Sequence, residues 1–399
     1  MIDLIVMATL GVILGIIAGI LPGIHSNLLA TAVVVWYHHV HPTAMSGMSI
    51  AILIYTLALT NTFVSFIPST YLGVPDAETA LSVLPAHQYL LEGKGHEAVL
   101  LSFIGAACAL LVTIITLPLF ALILKPIYAG FKPHIPILLL IIACTLILRE
   151  KSKFFAMYTF LAAGILGIMT LNMQRIKEPL LPLLTGLFGM PSLLISIFNK
   201  EQVSEQRISF PTLPKKMLLK TTGISLITGS LFSFLPSLGP SQAAVFSSLI
   251  TKDESKEGYL MLMGALNTVS MIMSVITFYS IQKARNGAIV AIVDILKTID
   301  LTTMIVIIAI TLLLYYPLAG IMILLSKKFS LFITRINYQA ISIGITVMIA
   351  IISFIISGPW SILVLITATA VGFIPIIKNV SRNHLMGSLM LSTVLWYLL

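Results

Sequence analysis

Apolar runs as long as a membrane span, separated by short clusters of charge, order this chain from end to end. Between Leu4 and Pro75 there is no Asp, Glu, Lys or Arg, which leaves room for more than two spans of about 20 residues each. Further charge-free windows cover 98 to 124, 154 to 174, 179 to 199, 221 to 251, 258 to 282, 301 to 326, 336 to 377 and 383 to 399. The pattern predicts an all-α polytopic membrane protein of about 10 to 12 membrane segments. Residues 46 to 67 read as one such span ending at Pro68.

Two of the runs are interrupted. The stretch from Gly11 to Asn27 is cut by Leu21-Pro22-Gly23 and restarts on His25, Ser26 and Asn27. Proline removes a backbone donor and clashes with the preceding turn, so the helix is expected to break at Leu21, with Gly23 permitting the turn. The stretch from Gly223 to Gln242 repeats the device at Leu235-Pro236. With Pro22 set on Pro236, Gly15 falls on Gly229, Gly23 on Ser237 and Asn27 on Ser241. In hydrocarbon a broken helix is tolerated where its freed amides line a protected cavity, and a pair of them in corresponding halves points to the binding site of a secondary transporter. The expected organisation is two inverted structural repeats with broken or re-entrant helices, 1–198 and 217–399, joined by a polar linker at 199–216.

The helix after each break carries an Asn-Thr pair, Asn61-Thr62 in the first half and Asn267-Thr268 in the second. Such residues either glue helices together or serve a site. Asp76 and Glu78 follow the break at Pro75 and open a short amphipathic helix, where they act as plain caps or as proton carriers. The corresponding stretch of the second half, Gln282 to Asp294, is basic where the first is acidic.

Composition sharpens the class. The 399 residues are 58% hydrophobic and 9% charged, with mean hydropathy +1.07, against roughly 25% charged residues in a soluble domain. The net charge of +9 reads as positive-inside loop bias and contact with anionic lipid headgroups. Nucleic acid is excluded as a partner, since no soluble module combines basic residues with exposed aromatics. The N-terminus lacks the positive region of a cleavable signal, so its first segment is expected to be retained. His38, His39 and His41 lack an acidic or cysteine neighbour and read as an interfacial turn rather than a metal site.

Three motifs, Gly-Ile-Leu-Pro-Gly at 19 to 23, Gly-Val-Pro at 73 to 75 followed by Gly93-Lys94-Gly95, and Leu-Pro-Ser-Leu-Gly-Pro at 235 to 240, together span both halves. On them the chain resembles the large membrane subunit family of tripartite tricarboxylate transporters (TctA-like), in its shorter archaeal-type branch. The resemblance implies an inverted-repeat secondary transporter whose larger relatives move carboxylates with a small membrane subunit and an extracytoplasmic binding protein. The chain departs from the family pattern at His25-Ser26, where Gly-Pro is usual, and at Asp76 and Pro85-Ala86-His87-Gln88. The fold expectation survives these departures; the tricarboxylate substrate and the accessory subunits do not follow from it.

The expected function is ion-coupled secondary transport of a small organic anion at the membrane midplane of a multi-pass cell-membrane protein. Gly23, His25, Ser26, Asn27, Ser237, Gly239, Ser241 and Gln242 are the candidate substrate ligands, because half-helix N-termini aim partial positive charge at one space. His25 pairs with the anion, titrates, or is a satisfied structural histidine. Asn61, Thr62, Asn267 and Thr268 offer neutral oxygens to a coupling Na⁺ or to substrate hydroxyls, and Asp76 or Glu78 would carry a coupled H⁺. No other cofactor is expected; lipids, the anion and a homo-oligomer complete the expected partners. A translocase for a polyprenyl-phosphate lipid carrier would use the same anion site with a lateral opening. An intramembrane enzyme is disfavoured, because no His-Glu-x-x-His, Gly-x-Ser-x-Gly or paired intramembrane aspartate is present.

Overall fold

The computed structural model describes residues 2–21, 26–39, 46–74, 79–198, 204–233, 239–251, 255–334 and 338–398. Every regular element among them is helical. The first half runs α1 (Ile2–Ile20), α2 (Ser26–His39), α3 (Gly47–Val64), α4 (Phe66–Tyr71), α5 (Val83–Leu91), α6 (Gly95–Phe131), α7 (Ile135–Arg149), α8 (Lys153–Leu171) and α9 (Leu180–Leu184). A π-helical turn at Thr185–Gly189 carries α9 into α10 (Met190–Phe198). The second half runs α11 (Lys215–Ser233), α12 (Pro240–Thr251), α13 (Lys256–Ile281), α14 (Gly287–Leu296), α15 (Leu301–Ile333), α16 (Tyr338–Ile352), α17 (Trp360–Lys378) and α18 (Gly387–Leu398).

Among the described residues, 8 segments are long and apolar enough to cross a membrane, and 3 shorter apolar helices accompany them. Together these fall within the range of about 10 to 12 membrane segments that the sequence predicts, and the segments beside the breaks, α2 and α12, are only 14 and 12 residues long. One boundary moves. The span expected to stop at Pro68 continues to Tyr71, since Pro68 falls in the first turn of α4, where its missing N–H would have had no helical partner.

α3 and α13 form the centre and are buried nearly all round, while α6 and α15 keep large apolar side chains such as Ile115, Leu122, Ile305 and Leu313 on the outside. A helix apolar on every side is a buried or membrane-embedded one, and an outer surface of this kind suits hydrocarbon. The tightest crossing joins α6 to α13 through two reciprocal glycines. A Cβ on Gly105 would stand 2.0 Å from the Met261 carbonyl oxygen, and one on Gly264 would stand 1.9 Å from that of Ser102. Small residues let the backbones touch, which is how helices associate where no hydrophobic force separates lipid from protein.

Several pairings of elements recur when the halves are exchanged, although the heaviest, α6 with α13, has only a slight counterpart in α15 with α3. α1 packs on α3 as α11 packs on α13; α8 packs on α18 as α17 packs on the α9–α10 segment; α7 meets α18 as α16 meets α10. The inward stripe of α1, Gly11, Gly15 and Gly19, lies against α3, and in the alignment above these residues correspond to Ser225, Gly229 and Ser233 of α11. The described part of the expected linker is docked, not free. Ser204 Oγ donates to the Leu91 carbonyl at 2.8 Å, Gln206 Nε2 to that of Leu90 at 2.8 Å, and Arg207 N to that of Gly93 at 2.8 Å, while Gly95 N donates to Gln206 Oε1 at 2.9 Å. The segment therefore straps the Gly93-Lys94-Gly95 turn, whose Gly93 has φ +78°, a left-handed conformation that favours glycine.

Candidate anion site

Three helices begin at one place. α2 starts at Ser26-Asn27 and α12 at Gly239-Pro240, where Gly239 N donates to Gln242 Oε1 at 2.9 Å. α14 starts at Asn286-Gly287, with Asn286 Oδ1 accepting from Ile289 N at 2.8 Å as the N-cap. α14 can lie beside α2 because residue 287 has no side chain: a Cβ there would meet Asn27 Cγ at 2.5 Å. The far ends of the same two helices are joined by His38 Nε2 and Asp294 Oδ2 at 3.1 Å.

These N-termini open on a cavity of about 750 Å³. Asn27, Gly239, Gln242, Asn286 and Gly287 line it, together with Ser233 at the end of α11 and Ser270, Met271 and Ser274 on α13. The wall supplied by α8, α9 and α18 is largely apolar, with Ile168 and Leu171 of α8, Leu180 of α9, and Leu389, Leu395 and Trp396 of α18, interrupted by Asn172 after α8 and by Ser392 and Thr393 on α18. The one ionised side chain among the described lining residues is Arg285. Its guanidinium lies over the Tyr128 ring, 5.3 Å from the centroid, while its Nε and Nη2 are buried with no hydrogen-bond partner among the described residues. Cation, helix N-termini and neutral amides all favour an anion.

One turn below, the Asn-Thr pairs of the two halves meet. Asn267 Nδ2 donates to the Thr62 carbonyl at 3.2 Å, and Thr62 Oγ1 to that of Leu59 at 2.7 Å. Asn267 Oδ1, Thr268 Oγ1 and Thr60 Oγ1 are buried without a hydrogen-bond partner among the described residues, and Asn61 is buried beside them in α3. Asn267, Ser270, Met271 and Ser274 stand at i, i+3, i+4 and i+7, hence on one face of α13. The polar crossing and the cavity floor thus share a helix face.

Of the residues expected to bind substrate, Asn27, Gly239 and Gln242 line the cavity, while Ser26 and Ser241 are buried in the adjoining first turns and are not among its lining residues. Gly23, His25, Ser237, Asp76 and Glu78 lie outside the described residues, as do Pro22 and Pro236. The sequence reading marked the stretch from Gln282 as basic but missed Arg285 as an anion ligand, the start of α14, and the wall supplied by α8, α9 and α18. A signal for the first two was present: Arg285-Asn286-Gly287 puts a cation and an N-cap residue at a helix start between apolar runs.

The sequence profile of the Tripartite tricarboxylate transporter TctA family matches residues 5–387. The chain belongs to that family. It is 28% identical over 382 residues to an uncharacterized protein of Methanocaldococcus jannaschii, covering 90% of this chain and 94% of the relative. No solved structure matches it. Membership in the TctA family, with the apolar spans, makes this a multi-pass membrane protein with a role in transport. Transporters of the TctA family are tripartite.

Proposed function

We propose that this TctA-family protein is an ion-coupled secondary transporter of an organic anion, bound in the cavity where α2, α12 and α14 begin. The observation that carries the reading is Arg285, whose Nε and Nη2 are buried beside three helix N-termini with no hydrogen-bond partner among the described residues. No Asp or Glu stands among the described lining residues to cancel that charge. The preserved pairing of α1 with α3 and α11 with α13 supports treating 1–198 and 217–399 as inverted repeats that rock about the site. The buried oxygens of Asn267, Thr268 and Thr60 support a place for a coupling Na⁺, since neutral oxygens suit a hard cation. A carboxylate is the substrate the family points to, with a small membrane subunit and a binding protein as candidate partners. A phosphate-bearing lipid carrier is the second reading, favoured by the exposed Leu180, Leu395 and Trp396 on the cavity wall.

Uptake of radiolabelled anions into proteoliposomes under imposed Na⁺ and proton gradients tests the proposal. Arg285→Gln is expected to lower uptake at least 100-fold, since a hydrogen bond to a charged group is worth about 1.5 to 3 kcal/mol and a charge pair adds to it. Undiminished uptake by a folded Arg285→Gln protein refutes the assignment of the site.

A further inference from the structure

We infer that the ligand of this cavity is an amphiphile with one acidic group, that group at Arg285 and its apolar part along α8, α9 and α18. The inference rests on the anion-transport reading above and narrows its substrate class. Nε and Nη2 form one edge of the guanidinium, with donors spaced for two oxygens of a single carboxylate or phosphate. The helix N-termini contribute amide donors and partial positive charge, not a further ionised group. Arg285 is the one ionised side chain among the described lining residues, and Lys283, outside that lining, is engaged with the Tyr128 hydroxyl at 3.3 Å. A tricarboxylate would bring two further carboxylates to a lining that offers them no second cation among its described residues, and an unpaired buried charge is heavily penalised.

Away from Arg285, the wall from α8, α9 and α18 is largely apolar. About 750 Å³ falls within the roughly 300 to 1,000 Å³ of sites for drug-sized ligands, far more than a carboxylate head needs. Ile168, Leu171 and Leu389 line the wall supplied by α8 and α18, beside Asn172, Ser392 and Thr393, and Leu180, Leu395 and Trp396 extend it to the exposed surface. In a membrane protein such a rim continues into hydrocarbon. The ligand chemistry is the same whether the amphiphile comes from water as a carboxylate or from the bilayer as a prenyl phosphate.

Purified protein in nanodiscs, compared with empty nanodiscs, would be titrated with butanoate, hexanoate, octanoate, citrate and a short-chain prenyl phosphate. Affinity is expected to rise along the monocarboxylate series by about fourfold for each methylene buried, with citrate unable to compete. Trp396→Ala should flatten that dependence while leaving the need for an anion, and Arg285→Gln should abolish binding of every probe. Leaflet exchange of the prenyl phosphate or vesicle uptake of octanoate, whichever requires Arg285, supports the inference and identifies the source. Affinity independent of chain length, or citrate bound more tightly than octanoate with Arg285 required, overturns it while sparing the site. Binding of every probe unaffected by Arg285→Gln overturns both.

Discussion

Gly287→Ala tests whether the seam between α2 and α14 shapes the anion site. The added Cβ would lie 2.5 Å from Asn27 Cγ, 2.7 Å from its Oδ1 and 2.9 Å from its Cβ. Carbon atoms in contact prefer about 3.5 Å or more, so the seam must open by about 1 Å. Overpacking of this kind costs about 1 to 3 kcal/mol, whereas Gly→Ala at an unstrained helical position gains about 0.4 to 1 kcal/mol through the unfolded chain. All three clashing atoms belong to Asn27, so Asn27→Ala should remove most of the clash and leave the gain. The double-mutant cycle is therefore expected to show a coupling of about 1 to 3 kcal/mol, measured by reversible unfolding in mixed detergent micelles. Anion binding should fall in Gly287→Ala, because Asn27 is driven toward the cavity it lines. Additivity within about 0.5 kcal/mol would refute the close approach of the two helix starts. Gly264→Ala provides the contrast, since its Cβ would meet the Ser102 backbone oxygen at 1.9 Å and no side-chain change relieves that.

Two other perturbations address separate parts of the fold. Asn267→Leu removes the bond to the Thr62 carbonyl, a loss of about 0.6 to 1.7 kcal/mol between membrane helices; abolished Na⁺ stimulation of uptake would mark a coupling role, and unchanged stimulation would leave the pair as helix glue. Gly93→Ala forces a Cβ to 2.6 Å from the Glu205 carbonyl at φ +78°, so the strap at 204–214 should detach and be cut faster by added protease; an unchanged cleavage rate would show that the strap is held elsewhere.

The chain's class was set locally. A charge-free run of span length has one low-energy environment, and in hydrocarbon a helix satisfies its own backbone, so spans and helical content follow from composition and spacing alone. The Asn-Thr pairs were legible for the same reason, as an amide in an apolar run requires a partner. That Asn267 finds the partner across the chain at Thr62, and that Asn27, Gly239 and Gln242 share one cavity, depend on where helices far apart in sequence cross. Arg285 shows the limit most clearly. In the sequence it is one of several basic residues outside the spans; the helix start beside it is legible there, and its enclosure is not. Only the packing of α14 beside α2, permitted by Gly287, and the wall contributed by α8 and α18 enclose it and leave its Nε and Nη2 without partners among the described residues, because enclosure is a property of the surrounding helices and not of the residue.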